Sequence, residues 1–194
     1  MNQLQNNLSI AKFGGTSVAT YDAISAAVAN VQQQTQRLIV VVSACGGVTD
    51  ALVKIAHMAS NSADSLAQIE QRHQTILSQV SRLRQPRLLY WQTALECIHA
   101  DLRQHLEERP GETSTRFSQW RDRLLSFGER CSSLLFCAVW EEQTQTMAEV
   151  MTAETWLVTD KRFGHARPNM DATRTKTAQQ LLTLNSDIQY VTQG

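Results

Sequence analysis

An α/β fold on a mainly parallel sheet is what the sequence predicts, and three observations predict it. Two short apolar runs, Leu8–Phe13 and 38–42, each end at a pair of glycines. Each glycine pair is followed by a segment whose apolar residues recur at helical spacing. The second run, Leu38-Ile39-Val40-Val41-Val42, is continuously apolar and β-branched, as suits a strand covered by helices on both faces. Strand, glycine loop and helix, stated twice in succession, is the signature of that class.

The elements follow in order. Leu8–Phe13 stops at Gly14-Gly15, which reads as a strand entering a tight loop. Beyond Thr16-Ser17, the residues Tyr21, Ile24, Val28 and Val31 mark one helical face. The run 38–42 stops at Ser43-Ala44-Cys45-Gly46-Gly47, and Thr49 is placed to N-cap a helix with Leu52, Ile55, Ala56 and Ala59 on one side. From 62 to 142 the period is helical throughout. Leu66, Ile69, His73, Ile76, Leu77, Val80 and Leu83 form one stripe, and Trp91, Leu95, Ile98 and Leu102 another, punctuated by Pro86 and Pro110-Gly111. Trp120, Leu124 and Phe127 read as a third helix, with Gly128 as a break before a fourth that holds Leu134, Leu135, Ala138 and Val139. Alternation over 144–150 predicts a strand, and 188–192 predicts another, running into Gln193-Gly194. In an α/β unit such a strand feeds a ligand-binding loop, so the segment is expected to end in mid-unit.

Composition narrows the class. The chain has 194 residues, 18 Lys+Arg against 18 Asp+Glu, and a formal net charge of zero. That is length enough for one core. A hydrophobic content of 42% argues against disorder, and the lack of basic excess argues against a generic nucleic-acid binder. Residues 1–7 lack the basic and apolar regions of a secretory signal. No apolar run reaches the ~18–20 residues of a membrane span. Cys45, Cys97, Cys131 and Cys137 form no C-x-x-C pair, and are expected to be reduced structural thiols in a cytoplasmic protein. His57, His73, His99 and His105 lie in helical runs without H-x-x-x-H spacing; the expectation is surface or core-edge histidines and no metal site.

The chemistry-bearing stretch is Lys12-Phe13-Gly14-Gly15-Thr16-Ser17. A strand-end lysine beside two glycines sets a fixed positive charge next to unobstructed backbone N–H groups, an arrangement suited to phosphates. It is not a Walker A loop, because the lysine precedes the glycines. On these residues alone, a phosphate site and a merely tight turn both stand.

Its neighbours add a resemblance. Residues 12–19, K-F-G-G-T-S-V-A, closely resemble the opening motif of the aspartate kinases, within the amino-acid kinase superfamily. Val42-Ser43-Ala44-Cys45-Gly46-Gly47-Val48-Thr49 resembles that family's second glycine loop, and Phe127-Gly128-Glu129 its Gly-Glu pair. Asp160-Lys161-Arg162-Phe163-Gly164-His165-Ala166 is similar to a segment of the monofunctional lysine-sensitive enzymes, and Val191-Thr192-Gln193-Gly194 to the strand leading into the nucleotide half. Order and spacing agree over essentially the whole chain.

The resemblance implies an open αβα sandwich, with 1–194 as its N-terminal, aspartate-binding part and 62–142 as a helical insertion. The nucleotide half and the regulatory ACT domains would follow, so this segment alone is expected to be inactive. The implied reaction is ATP plus L-aspartate giving ADP and 4-phospho-L-aspartate, the entry to lysine, threonine and methionine synthesis, with ATP and Mg2+ as the co-substrate complex. It implies Lys12 as the catalytic cation, Lys12, Phe13, Gly14 and Gly15 as the phosphate-binding segment, and Ser43, Thr49 and Glu129 as substrate contacts. No protein metal ligands, nucleic acid or membrane are implied, and whole members of the family are homo-oligomers. Three departures bear on affinity: Asp50 stands where asparagine is usual, Cys45-Gly46-Gly47 is a loose version of the loop, and Arg130 is placed to compete for the Glu129 carboxylate. The alternatives are an amino-acid kinase acting on glutamate or carbamate, and a non-catalytic binding or assembly module of the same fold.

Overall fold

The computed structural model describes residues 8–34, 37–57 and 62–194. Four strands form one sheet in the order β1-β2-β4-β3, and every neighbouring pair is parallel. The strands are β1 (Leu8–Phe13), β2 (Arg37–Val42), β3 (Ala148–Val150) and β4 (Gln189–Gln193). Helices α1 (Tyr21–Gln32), α2 (Val48–Ala56), α3 (Ser62–Ser78), α4 (Gln85–Glu107), α5 (Phe117–Thr144) and α6 (Met170–Thr183) make the connections.

Strand alternation sorts the residues by face. Val40, Val42 and Val191 are fully buried, and with α1 and α5 they belong to the main core. Ile39 and Tyr190 point the other way, into a smaller cluster with Met151, Leu181 and Leu184 where α6 lies. That second face is thinly covered: Ile10, in register with Ile39, is 71% exposed.

Helix α5 is the spine. Every residue from Cys131 to Glu142 is buried, and α5 packs against the sheet and against α1, α2, α3 and α4. Two of its carboxylates tie the core together. Glu141 accepts from Arg87 at 2.5 Å, from the Trp91 indole at 2.9 Å and from the Ala148 backbone at 3.0 Å. Glu142 accepts from Tyr21 Oη at 2.5 Å and from the backbone N–H groups of Ser81 and Arg82. Buried carboxylates persist only when saturated with donors in this way.

The structure corrects several expectations. Gly128 does not break a helix; it sits inside the 28-residue α5, where its lack of a side chain admits a neighbouring loop. Thr49 is not an N-cap. Gly47, at φ 82°, turns the chain so that the helix starts at Val48 and Thr49 falls in its first turn. Thr144 ends α5 rather than opening a strand, because Gln145 at φ 58° terminates the helix, leaving only Ala148–Val150 paired. Val80 and Leu83 lie beyond the end of α3. The expected contribution of Ala59 lies outside the described residues. His73, His99 and His105 are core rather than surface or core-edge, while His57 is exposed. Cys45, Cys131 and Cys137 are buried free thiols, and burial pushes the Cys45 thiol up to about 12, so it stays protonated.

Candidate active site

The carboxyl ends of β1 and β2 lie side by side, which is where open α/β sheets bind ligands. There the two glycine loops touch. Gly46 N–H donates to the Gly15 carbonyl at 2.9 Å, and Ser43 N–H to the Phe13 carbonyl at 3.1 Å. A methyl group on Gly15 would stand 2.8 Å from the Ala44 carbonyl oxygen, too close for any side chain. Glycine at this position is therefore a packing requirement.

Helix α5 closes the site from behind. Gly128 passes directly under Ala44, and the next residue, Glu129, reaches the same loop. Its carboxylate accepts from the Ala44 N–H at 3.3 Å. One turn on, Ser132 Oγ donates to the Ser43 carbonyl at 2.7 Å. Glu129 is half-buried, and this burial raises its pKa above the ordinary glutamate value, while the backbone hydrogen bonds act in the opposite direction. None of the ion pairs among the described residues engages this carboxylate, and a ligand ammonium would supply a cation.

Arg130 does not compete for Glu129. It pairs with Asp101 at 3.1 Å and lies over the Phe127 ring at 4.7 Å. Thr49 and Asp50 are exposed on the first turn of α2, beside the Gly46-Gly47 turn. Ser43 is half-buried at the end of β2. Lys12 is exposed on the sheet face shared by Val41 and Thr192, and none of the ion pairs among the described residues engages it. Phe13 faces the other way, its ring 5.8 Å from that of Phe136, so only its backbone is open to a ligand. Lys12 and Glu129 thus flank the carboxyl edge of the sheet from opposite sides. A 770 Å³ groove lined by residues including Ala19, Tyr21 and Arg72 lies between the start of α1 and α3, away from these side chains.

Residues 7–194 match the amino acid kinase family. The chain belongs to that family. Over 185 residues it is 29% identical to lysine-sensitive aspartokinase 3 of Escherichia coli K12, covering 95% of this chain and 40% of that protein. Over 186 residues it is also 29% identical to an aspartokinase of Chlamydia trachomatis, covering 95% of this chain and 39% of the relative. Among solved structures, E. coli aspartokinase III in complex with aspartate and ADP (R-state) superposes with a TM-score of 0.83 at 30% identity, over 97% of this chain and 40% of that one. The chain therefore spans about 40% of the length of these relatives. The fold is the α/β amino-acid kinase fold, mainly parallel as expected. No helix among the described residues is long and apolar enough to cross a membrane.

Sequence reasoning singled out Glu129 as a candidate but not Ala44, whose backbone N–H donates to its carboxylate, nor Ser132, which ties the same loop to α5. The one available signal was Gly128, since a glycine inside a strong helical pattern marks a close approach as readily as a helix end.

Proposed function

We propose that this family member is part of an aspartate kinase, transferring the γ-phosphoryl group of ATP to the side-chain carboxylate of L-aspartate. The observation that carries the reading is the Glu129 carboxylate, half-buried and held against a glycine loop at the carboxyl edge of a parallel sheet. Its two backbone hydrogen bonds leave acceptor capacity for the substrate ammonium. Thr49 and Ser43, flanking the same loop, would contact the substrate carboxylates. Likeness to aspartokinases over nearly the whole chain supports this choice of substrate.

The chemistry asks little of acid–base groups. A carboxylate nucleophile is already ionised at neutral pH, so the barrier is the approach of one anion to another. Lys12 would neutralise charge on the transferring phosphoryl group. Gly14 and Gly15 would let backbone approach the phosphates, with the Phe13 backbone at the start of the turn. Mg2+ would arrive with the nucleotide as part of the substrate. The place of action in this reading is the cytoplasm, and the whole protein would be a homo-oligomer.

Two measurements test the reading: calorimetric titration with L-aspartate, D-aspartate and L-glutamate, and formation of aspartyl hydroxamate by the whole protein. Selective binding of L-aspartate with ATP-dependent hydroxamate supports it. Preference for glutamate, or no amino-acid binding, overturns it.

A further inference from the structure

Three buried side chains from three helices converge behind the site. His73 comes from α3, His99 from α4 and Cys131 from α5, and each is almost completely shielded from solvent. One ring nitrogen from each histidine and the Cys131 sulfur all lie within 4.8 Å of one another. His73 Nδ1 and His99 Nε2 are 3.1 Å apart, with the rings stacked at 5.4 Å.

The histidine pair is poorly satisfied by itself. Whichever ring donates across the 3.1 Å contact, His73 Nε2 and His99 Nδ1 are left buried without a hydrogen-bond partner. One of those nitrogens carries a proton and the other a lone pair, so the ligand-free pair holds one unpaired donor and one unpaired acceptor. Among the described residues no ion pair engages these three side chains, and the facing nitrogens His73 Nδ1 and His99 Nε2 converge with the Cys131 sulfur as the ligands of a cation would.

We infer that His73, His99 and Cys131 form a binding site for a single borderline-soft divalent cation, with zinc as the reference ion. Two imidazoles and a thiolate are the donor set such ions prefer over magnesium or calcium. Zinc–nitrogen bonds of about 2.0–2.1 Å and zinc–sulfur bonds of about 2.3 Å place tetrahedral ligand atoms roughly 3.3–3.6 Å apart. The His73 Nδ1–His99 Nε2 pair is already close to that spacing, and a side-chain shift on the order of an ångström closes the sulfur onto it, with His73 Nε2 and His99 Nδ1 then carrying the ring protons. On binding, the Cys131 thiol proton leaves to solvent and the thiolate occupies the third position. A non-protein donor takes the fourth. The ion would pin α3, α4 and α5 together two residues beyond Glu129, which gives it a structural role.

The test uses the full chain, stripped of metal, in a phosphine reductant and on a Cys97→Ser background to remove the exposed thiol. Titration with Co2+ should give one equivalent bound, with a near-ultraviolet thiolate charge-transfer band and intense visible bands of tetrahedral cobalt. Zn2+ should abolish both and raise Tm. Cys131→Ser should eliminate the charge-transfer band, and His99→Gln should weaken binding at least tenfold, each with unchanged far-ultraviolet circular dichroism. Should Cys131→Ser not fold, His73→Gln and His99→Gln decide the matter by the same spectra. Absence of the band from the parent, its survival in Cys131→Ser, or its survival at full affinity in both histidine variants overturns the assignment.

Discussion

Gly128 lies so close to Ala44 that a methyl group on it would stand 2.7 Å from the Ala44 side chain and 3.3 Å from Val48. A helix interior ordinarily favours alanine over glycine by about 1 kcal/mol. Here overpacking opposes the gain, typically by about 1–3 kcal/mol. Gly128→Ala should therefore lower stability despite its better propensity, and should displace the second glycine loop from Glu129. Urea unfolding checks the first effect and aspartate titration the second. A stabilised variant with intact binding would mean that the loop yields freely.

Lys12 is the cation at the end of β1, exposed at the sheet edge. In the whole enzyme, Lys12→Met should lower kcat by about 10²–10³ while leaving KM for aspartate little changed. An interaction made mainly in the transition state has that signature. Steady-state kinetics with unchanged kcat would remove Lys12 from the proposed mechanism.

Glu129 gives two expectations of opposite sign. Glu129→Gln keeps an acceptor for the Ala44 N–H but loses the charge that would pair with the substrate ammonium. Aspartate affinity should fall by the equivalent of roughly 1.5–3 kcal/mol. Stability of the ligand-free protein should rise at neutral pH. The folded-state pKa of Glu129 is raised by burial, so its ionised form is disfavoured by folding once the pH exceeds that raised value. The advantage of Glu129→Gln over wild type should be constant at higher pH, and shrink as pH falls toward the ordinary value of 4.5. Thermal melts of both proteins across that range read it directly. A stability difference that does not change with pH would show that Glu129 titrates alike in both states.

Glu141 accepts from three residues at once: Arg87 in a two-pronged contact, Trp91 and Ala148. Glu141→Ala would leave the Trp91 indole and the Ala148 N–H buried without an acceptor, while Arg87, a third exposed, can turn to water. The expected loss is on the order of 3 kcal/mol, from about 1–3 for each orphaned donor. Denaturant midpoints measure it. A loss below about 1 kcal/mol would mean that both donors find new partners.

Much of this was legible in the sequence, for a physical reason. Residues 38–42 of β2 are continuously apolar because Val40 and Val42 enter the main core and Ile39 the smaller cluster on the other face, and the glycine pairs mark turns that side chains would obstruct. Such local constraints act on the residues that carry them, so the α/β class, both glycine loops and the strands β1 and β2 could be read directly. The placement of Glu129 came from its likeness to a family motif. Tertiary contacts decided the rest. Gly128 reads locally as a helix end, yet α5 runs through it because Ala44, 84 positions earlier in the numbering, fills the space its side chain would take. Thr49 has the chemistry of an N-cap, but the left-handed turn at Gly47 starts the helix before it. His73, His99 and Cys131 have no sequence spacing that links them, because a site assembled from three helices is set by how those helices pack. Spacing along a chain reports only contacts made within one element; contacts between elements follow from the fold.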